Sequence, residues 1–332
     1  MLPSNRTDLA FTILRDLYGV RTEDLTAIDP GELISKIQRV HQGLSAEHEF
    51  AAIASWLGRC TLLTQPDQVL VSDGRYRAPD FLIAVRSQER EIPFLVEVKT
   101  TTDSRLKWTE SYFSSLRRFA CLLKLPLLVA WKSHGLWVLT DTELFEKRKT
   151  AYHLTFDRAI KNSLMTQLFG NVWLKIAEDF RLEIQMRILD PIDPTAESLP
   201  EGGYRCQIEA AGLWTERGKV PKELTSSLFP IFLVKAVDPP RTERKADLVT
   251  EVFPTDPEGM FNLSDVLLAQ LNWRRDSEEN IDWIAELRKG LPRQLADLEA
   301  VLQRGLEVGA LRYILRQQPQ IVPDFLKDAP NH

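Results

Sequence analysis

The sequence predicts an α/β domain with a mixed central sheet flanked by helices, followed by a second, mixed α+β domain. Three observations lead there. Four short apolar runs, FLIAV, PFLVEVKT, PLLVAWK and LWVLT, fall within residues 81–140. Helix-patterned segments stand before the first pair of runs and between the two pairs, as a layered sheet requires. Beyond Gly170 the texture changes to longer alternating runs and then to helical periodicity.

At 332 residues the chain has room for one large domain or two ordinary ones. We divide it into a helical lead-in (1–40), the α/β domain (41–170) and a C-terminal recognition or partner-docking domain (171–332). The 44% hydrophobic and 27% charged residues are those of a globular protein, with no solenoid repeat and no low-complexity tract. Three cysteines, odd in number and without CxxC spacing, fit free thiols in a reducing cytoplasm. The segment Met1 to Arg15 is too polar for a signal peptide, and no run approaches the roughly 20 apolar residues of a membrane span. A soluble, cytoplasmic protein is expected.

The elements follow in order. DLAFTILRDLYG and ELISKIQRVHQG have helical spacing and are separated by Pro30-Gly31. Ser45 is placed to cap the helix AEHEFAAIASWLG, whose buried stripe is expected at Phe50, Ala54 and Leu57. TLLT and QVLV are short strands, with DGRY as a turn. FLIAV and PFLVEVKT are nearly continuous apolar runs, as in strands buried on both faces, joined by the polar turn SQEREI. A helix is expected from Trp108 to Leu123 with Tyr112, Leu116, Phe119 and Leu123 inward. PLLVAWK and LWVLT are strands around a tight turn at Ser133–Gly135, and TELFEKRK and DRAIKNSLMTQLFG read as helices. In the C-terminal half, NVWLKIAEDFRLEIQMRIL, LFPIFLVKAV and ADLVTEVF read as strands, with PPRTERK as a turn between the last two. LSDVLLAQL, NIDWIAELRKG and LPRQLADLEAVLQRGLEVGALRYILRQ read as helices.

The chemistry-bearing residues sit where two apolar strands begin and end. Pro79-Asp80 opens one strand and Glu97-Val98-Lys99 closes the next. Side chains alternate along a strand, so Glu97 and Lys99 share a face and Val98 takes the other. If the two strands pair as a hairpin, Asp80 comes beside Glu97. Burying two carboxylates together costs several kcal/mol unless something offsets their repulsion. A hard divalent cation does so: Mg²⁺ takes oxygen ligands, usually one or two carboxylates with waters and substrate phosphate oxygens. Lys99 could then position or deprotonate the attacking water, or neutralise the charge that develops on phosphorus.

The charge distribution points to a polyanion. Lys99 to Lys132 holds Lys99, Arg105, Lys107, Arg117, Arg118, Lys124 and Lys132 against Asp103 and Glu110, a local balance of +5 in a chain that totals −5. Arg105, Lys107, Arg117, Arg118 and Lys124 are the candidate nucleic-acid contacts. Trp108, Tyr112 and Trp131 could stack on unpaired bases, although such residues more often pack in a core. His41, His134, His153 and His332 show no zinc spacing, and GxxxxGK[ST] and GxSxG are absent, which argues against ATP hydrolysis and serine esterase chemistry.

Pro79-Asp80, sixteen intervening residues and Glu97-Val98-Lys99 resemble the signature of the PD-(D/E)XK nuclease superfamily, which includes restriction endonucleases and archaeal Holliday junction resolvases. The likeness extends over roughly residues 40–140 and implies a restriction-endonuclease-like core. It implies that AEHEFAAIASWLG is the first core helix, which supplies a further acidic residue: Glu47 by helix register, with Glu49 the alternative. It implies catalytic Glu47, Asp80, Glu97 and Lys99, and a Mg²⁺ site (Mn²⁺ substituting) on Asp80, Glu97 and the Val98 backbone carbonyl. SLRRFACLLKLPLLVAWK is similar to the helix and strand that complete that core. The glutamine common early in that helix among the resolvases is not evident here; Tyr112 or Ser115 stands near its place. The expectation is a Mg²⁺-dependent DNA endonuclease, homodimeric to cut both strands, with a partner protein docking on residues 171–332. The alternatives are a nuclease-like binding or scaffold subunit that does not cut, and an RNA-directed nuclease.

Overall fold

The computed structural model describes residues 46–66, 74–87, 90–191, 204–236, 241–266 and 298–327. The two N-terminal helices, the Ser45 cap, QVLV and NIDWIAELRKG expected from the sequence lie outside these residues.

Helix α1 runs over 46–56. The expected stripe of Phe50, Ala54 and Leu57 is buried, but so are Ala51, Ala52, Ile53 and Trp56, so the helix is enclosed nearly all round. Gly58, at φ 85°, turns the chain out of it into the first strand.

The central sheet contains β1 (Cys60–Thr64), β2 (Phe81–Ser87), β3 (Arg90–Thr100), β5 (Leu127–Ser133) and β6 (Leu136–Asp141), in the order β1-β2-β3-β5-β6. It is mixed, as expected: β3 and β5 are parallel, and the other neighbours are antiparallel. The parallel step is made by β4 (Arg105–Thr109) and α2 (Glu110–Leu123). β3 is central and fully buried from Phe94 to Val98, which accounts for its unbroken apolar run. β2 continues to Ser87 and β3 starts at Arg90, so most of the expected SQEREI turn is strand. Between β5 and β6 the turn is His134-Gly135, with φ of 50° and 80°, the left-handed pair that a two-residue hairpin needs.

Alternation sorts the sheet's residues to two faces. Phe94, Val96, Val98, Leu128 and Ala130 join α1 in one core cluster. Leu95, Val129 and Trp131 join α2 residues Phe113, Leu116 and Ala120 in another. Glu97 and Lys99, in phase with Leu95, therefore lie on the α2 side.

Helix α2 departs from its expected form. Trp108 belongs to β4, and Thr109 caps the helix by accepting the Tyr112 N–H at 3.3 Å. The inward residues are Phe113, Leu116 and Ala120; Leu123 is 45% exposed at the helix end. The helix is turned because a small sheet packs on it: β4, β8 (Ala151–Thr155) and β7 (Glu146–Arg148), in the order β4-β8-β7. Phe113 stacks on Tyr152 of that sheet at 3.9 Å, and Trp108 stacks on Phe145 at 4.6 Å. TELFEKRK is accordingly a 3₁₀ turn (Thr142–Leu144) and β7, not a helix. DRAIKNSLMTQLFG divides into α3 (Phe156–Lys161) and a π turn (Met165–Phe169) that ends at Gly170, φ 77°.

Further on come β9 (Trp173–Ile176), β10 (Arg181–Pro191), β11 (Tyr204–Thr215), β12 (Gly218–Lys219), α4 (Lys222–Lys235), β13 (Arg241–Lys245), β14 (Leu248–Pro254), β15 (Phe261–Asn262), α5 (Leu298–Glu307), β16 (Leu311–Leu315) and α6 (Asp324–Lys327). They build an antiparallel sheet β12-β11-β10-β14-β13 and a smaller one, β15-β9-β16. Three expectations are corrected. LFPIFLVKAV is largely the end of helix α4, because Leu224, Leu228, Ile231 and Phe232 recur at helical spacing into the core. RTERK is strand β13, pairing with β14. ALRYIL is not helix: Gly309, at φ 79°, ends α5's turn, and β16 pairs with β9. The α1-side cluster runs on through Phe169, Leu174, Phe180, Leu213, Leu228, Leu302 and Leu311, so the packing is continuous across Gly170. Among the described residues no helix is long and apolar enough to cross a membrane.

Candidate active site

Strand pairing builds the site. Phe81 pairs with Val96, and one further step of that register sets Asp80 opposite Glu97. Asp80 Oδ2 accepts the Val98 backbone N–H at 2.6 Å, which ties the start of β2 to the end of β3. Glu97 is only 1% exposed. Its Oε1 accepts from Lys99 Nζ at 2.5 Å and from the Tyr112 hydroxyl. Its Oε2 is buried and has no hydrogen-bond partner. Lys99 Nζ also donates to the Val98 carbonyl at 2.9 Å, so the backbone oxygen implied as a metal ligand is engaged by the lysine here.

Electrostatics bring in the helix carboxylate. Burial raises Glu47 to about 8, helped by Asp80 and Glu97 and opposed by Lys99, which places Glu47 in the field of all three. Burial likewise raises Asp80 to about 6, with Glu97 adding to the rise and Lys99, the Val98 N–H and Arg77 opposing it. For Lys99, burial favours the neutral amine, but Glu97, Tyr112 and Asp80 together outweigh it and hold the ammonium above its ordinary range. Burial and the neighbouring Glu97 push the Tyr112 phenol up. Glu49 goes elsewhere: its carboxylate accepts from Lys132 Nζ at 2.6 and 2.8 Å and from Trp137 Nε1 at 2.8 Å.

No protein-family model matches the chain, and no curated protein matches it. Among solved structures, it is similar to Hjc, a Holliday junction resolvase from Archaeoglobus fulgidus. The identity is 16%, the match covers 35% of this chain and 85% of that one, and the TM-score is 0.28.

The candidate nucleic-acid contacts fall in two places. Arg105 and Lys107 point outward from β4. His153 on the paired strand β8 is held below the ordinary histidine range by burial and then by Lys107, Arg105 and Arg148, which marks a local cluster of positive charge. Arg117, Arg118 and Lys124 are exposed on α2 or at its end, with Arg117 bound to Glu143 at 2.6 Å. Lys132 belongs to the Glu49 pair. Trp108 and Trp131 are buried at 4% and 0% and cannot stack on a base.

Sequence reasoning missed Arg77 and the part played by Tyr112. The Arg77 guanidinium lies 4.6 Å from the Tyr112 ring centroid, and the Arg77 backbone N–H donates to the Ser115 carbonyl at 3.3 Å, which seats the segment leading to Asp80 on α2. The RYR run just ahead of Pro79-Asp80 was the available signal.

The donor set suits a hard cation. Glu97 Oε2 is a buried carboxyl oxygen without a hydrogen-bond partner, and Asp80 stands beside it with its charge disfavoured. Among the described residues no three His, Cys, Asp or Glu groups converge into a side-chain cage. Mg²⁺ ordinarily asks for less, one or two carboxylates completed by water and phosphate oxygens.

Proposed function

We propose that this chain is a Mg²⁺-dependent endonuclease that hydrolyses DNA phosphodiester bonds in the manner of the PD-(D/E)XK nucleases. The observation that carries the reading is the buried Glu97 carboxylate with one oxygen unpartnered, next to Asp80 at the mouth of the same strand pair. An inert strand end would not retain a buried acid in that state, since an unsatisfied buried polar oxygen costs the fold about 1–3 kcal/mol.

Asp80 and Glu97 would hold the cation. A bound Mg²⁺ would supply Lewis acidity toward the scissile phosphate and the attacking water. Glu47, facing the same charges from α1, is suited to accept a hydrogen bond from that water and orient it. Of the roles open to Lys99, neutralising charge on the phosphoryl oxygens fits best. Its ammonium is stabilised by Glu97, Tyr112 and Asp80, and a lysine kept protonated is a poor general base. Arg105, Lys107 and Arg118 are exposed cations for the DNA backbone.

Duplex cleavage requires two such centres, which favours a two-fold dimer acting on two-fold DNA. Residues 171–332 would serve recognition or partner docking. The full chain, incubated with Mg²⁺ or Mn²⁺ on linear, supercoiled, branched and single-stranded DNA, tests the activity: cleavage with metal and none in EDTA is expected. Undiminished cleavage in chelator would exclude this mechanism, and light scattering on the same protein decides the dimer.

A further inference from the structure

The hydrogen bonds to Glu97 are lopsided. Two donors, Lys99 Nζ and the Tyr112 hydroxyl, converge on Oε1, while the equally buried Oε2 receives none. A carboxylate buried for structural reasons alone is normally satisfied on both oxygens. Something must hold this one so that its free lone pairs are directed away from both donors.

Tyr112 has the fixed placement to do so. Its backbone N–H is bound by the Thr109 cap, so it occupies the first turn of α2. At that helix position a glutamate or glutamine often folds back onto the cap; here the side chain instead reaches across to β3. The ring is confined on several sides. Trp108 meets it edge-on at 5.4 Å and 75°, Arg77 lies over it at 4.6 Å, and Lys99 Nζ is 5.5 Å from its centroid. Arg77 is three residues from Asp80 and Lys99 two from Glu97, so one ring touches the flanks of both carboxylate-bearing strands.

We propose that Tyr112 is a positioning residue of this site, whose hydroxyl fixes Glu97 so that Oε2 is presented to a divalent cation. The inference rests on the metal-dependent nuclease reading and adds a residue to its machinery. Tyr112 touches neither cation nor substrate; it acts through Glu97. Partners of metal ligands set ligand orientation in this way, and their loss typically costs about 10–100-fold in metal affinity. Lys99 cannot substitute, because with the phenol gone its ammonium is free to bridge both oxygens and compete with the cation.

The test is Mn²⁺ binding to the full chain without DNA, by calorimetry or electron paramagnetic resonance, together with melting curves. Tyr112→Phe keeps the ring contacts and removes only the donor. It should weaken Mn²⁺ binding by about tenfold or more while remaining folded. Tyr112→Gln restores an N–H donor and should recover most of that loss. Tyr112→Met, which fills the space without a donor, carries the same expectation as Tyr112→Phe and replaces it if that variant does not fold. Equal Mn²⁺ affinity in wild type and the donor-less variant overturns the proposal. Wild type that binds no Mn²⁺ overturns instead the metal reading beneath it.

Discussion

Glu47 and Glu49 stand two residues apart on one helix and serve different neighbourhoods. Glu49 is bonded to Lys132 Nζ and Trp137 Nε1, whereas Glu47 shares the field of Asp80, Glu97 and Lys99. Residues two apart on a helix do not face each other, so one turn can serve both. Glu49→Gln should therefore cost stability, about 1–3 kcal/mol, by leaving the half-buried Lys132 without its counter-charge. Its cleavage rate should stay near wild type. Glu47→Gln should do the reverse, reducing cleavage sharply without loss of fold. Denaturant melts and plasmid assays on both variants check this, and the opposite pattern would exchange the two roles.

The core of the candidate site was legible because it is local. Asp80 immediately precedes β2, Glu97 and Lys99 lie on the next strand, β3, and strand alternation alone puts Glu97 and Lys99 on one face. The choice between Glu47 and Glu49 was not, since it turns on Lys132 and Trp137, 83 and 88 residues away. Tyr112 was expected on the buried stripe of its helix; the β4-β8-β7 sheet shifts that stripe to Phe113 and leaves Tyr112 facing Glu97. The same limit explains α4: its end is so continuously apolar that the sequence alone shows no period, and the helical spacing of Leu224, Leu228, Ile231 and Phe232 emerges only from which residues are buried.

Asp80 and Glu97 should be separable from folding. Asp80→Asn retains an oxygen to accept the Val98 N–H, so the strand tie survives while the ligand charge is lost. Cleavage should fall to background in Asp80→Asn and in Glu97→Gln. DNA affinity, measured by anisotropy in chelator, should hold or rise, because phosphate contacts come from the basic side chains and a repelling carboxylate is gone. Normal cleavage by the Asp80→Asn, Glu97→Gln double variant would falsify the site.

Lys99→Ala should slow cleavage by roughly 10² or more, as expected for removing a charge aimed at the transition state. Lys99→Arg should not restore it, since a planar guanidinium cannot reproduce a point ammonium held between Glu97 Oε1 and the Val98 carbonyl. Single-turnover rates at saturating enzyme read the chemical step directly; wild-type rates in either variant would remove Lys99 from the mechanism.

Cys60 and Cys121 should differ in reactivity. Burial pushes the Cys60 thiol up to about 11, with a weaker opposing effect from its bond to the Leu62 carbonyl, whereas Cys121 is exposed on α2. Iodoacetamide at pH 8 should label Cys121 and spare Cys60 until the protein unfolds. Peptide mapping by mass spectrometry decides, and rapid labelling of Cys60 in the native protein would contradict its placement.

The crowded carboxylates should make the metal-free protein less stable as pH rises. Glu47 is held at about 8 against an ordinary 4.5, and Asp80 at about 6 against 3.8, both chiefly by burial. Between the ordinary and the folded values, the native state keeps protons that the unfolded chain has lost. Folding stability therefore falls as pH climbs through that window, from about 4 to about 8, and is restored as the acids are protonated. Asp80 and Glu47 interact, so the decline should spread over the window as a shared titration and not break at one pH. Glu47→Gln removes the larger contribution. In EDTA at pH 8 it should be more stable than wild type by on the order of 2 kcal/mol, several degrees in Tm, and the gain should vanish near pH 4. Adding Mg²⁺ at pH 8 should raise the wild-type Tm more than the variant's, because a bound cation compensates the charges that the substitution has already reduced. Melting curves across pH, with and without metal, contain the whole test. A Glu47→Gln gain that is independent of pH, or absent at pH 8, would mean that Glu47 is solvated and outside the site.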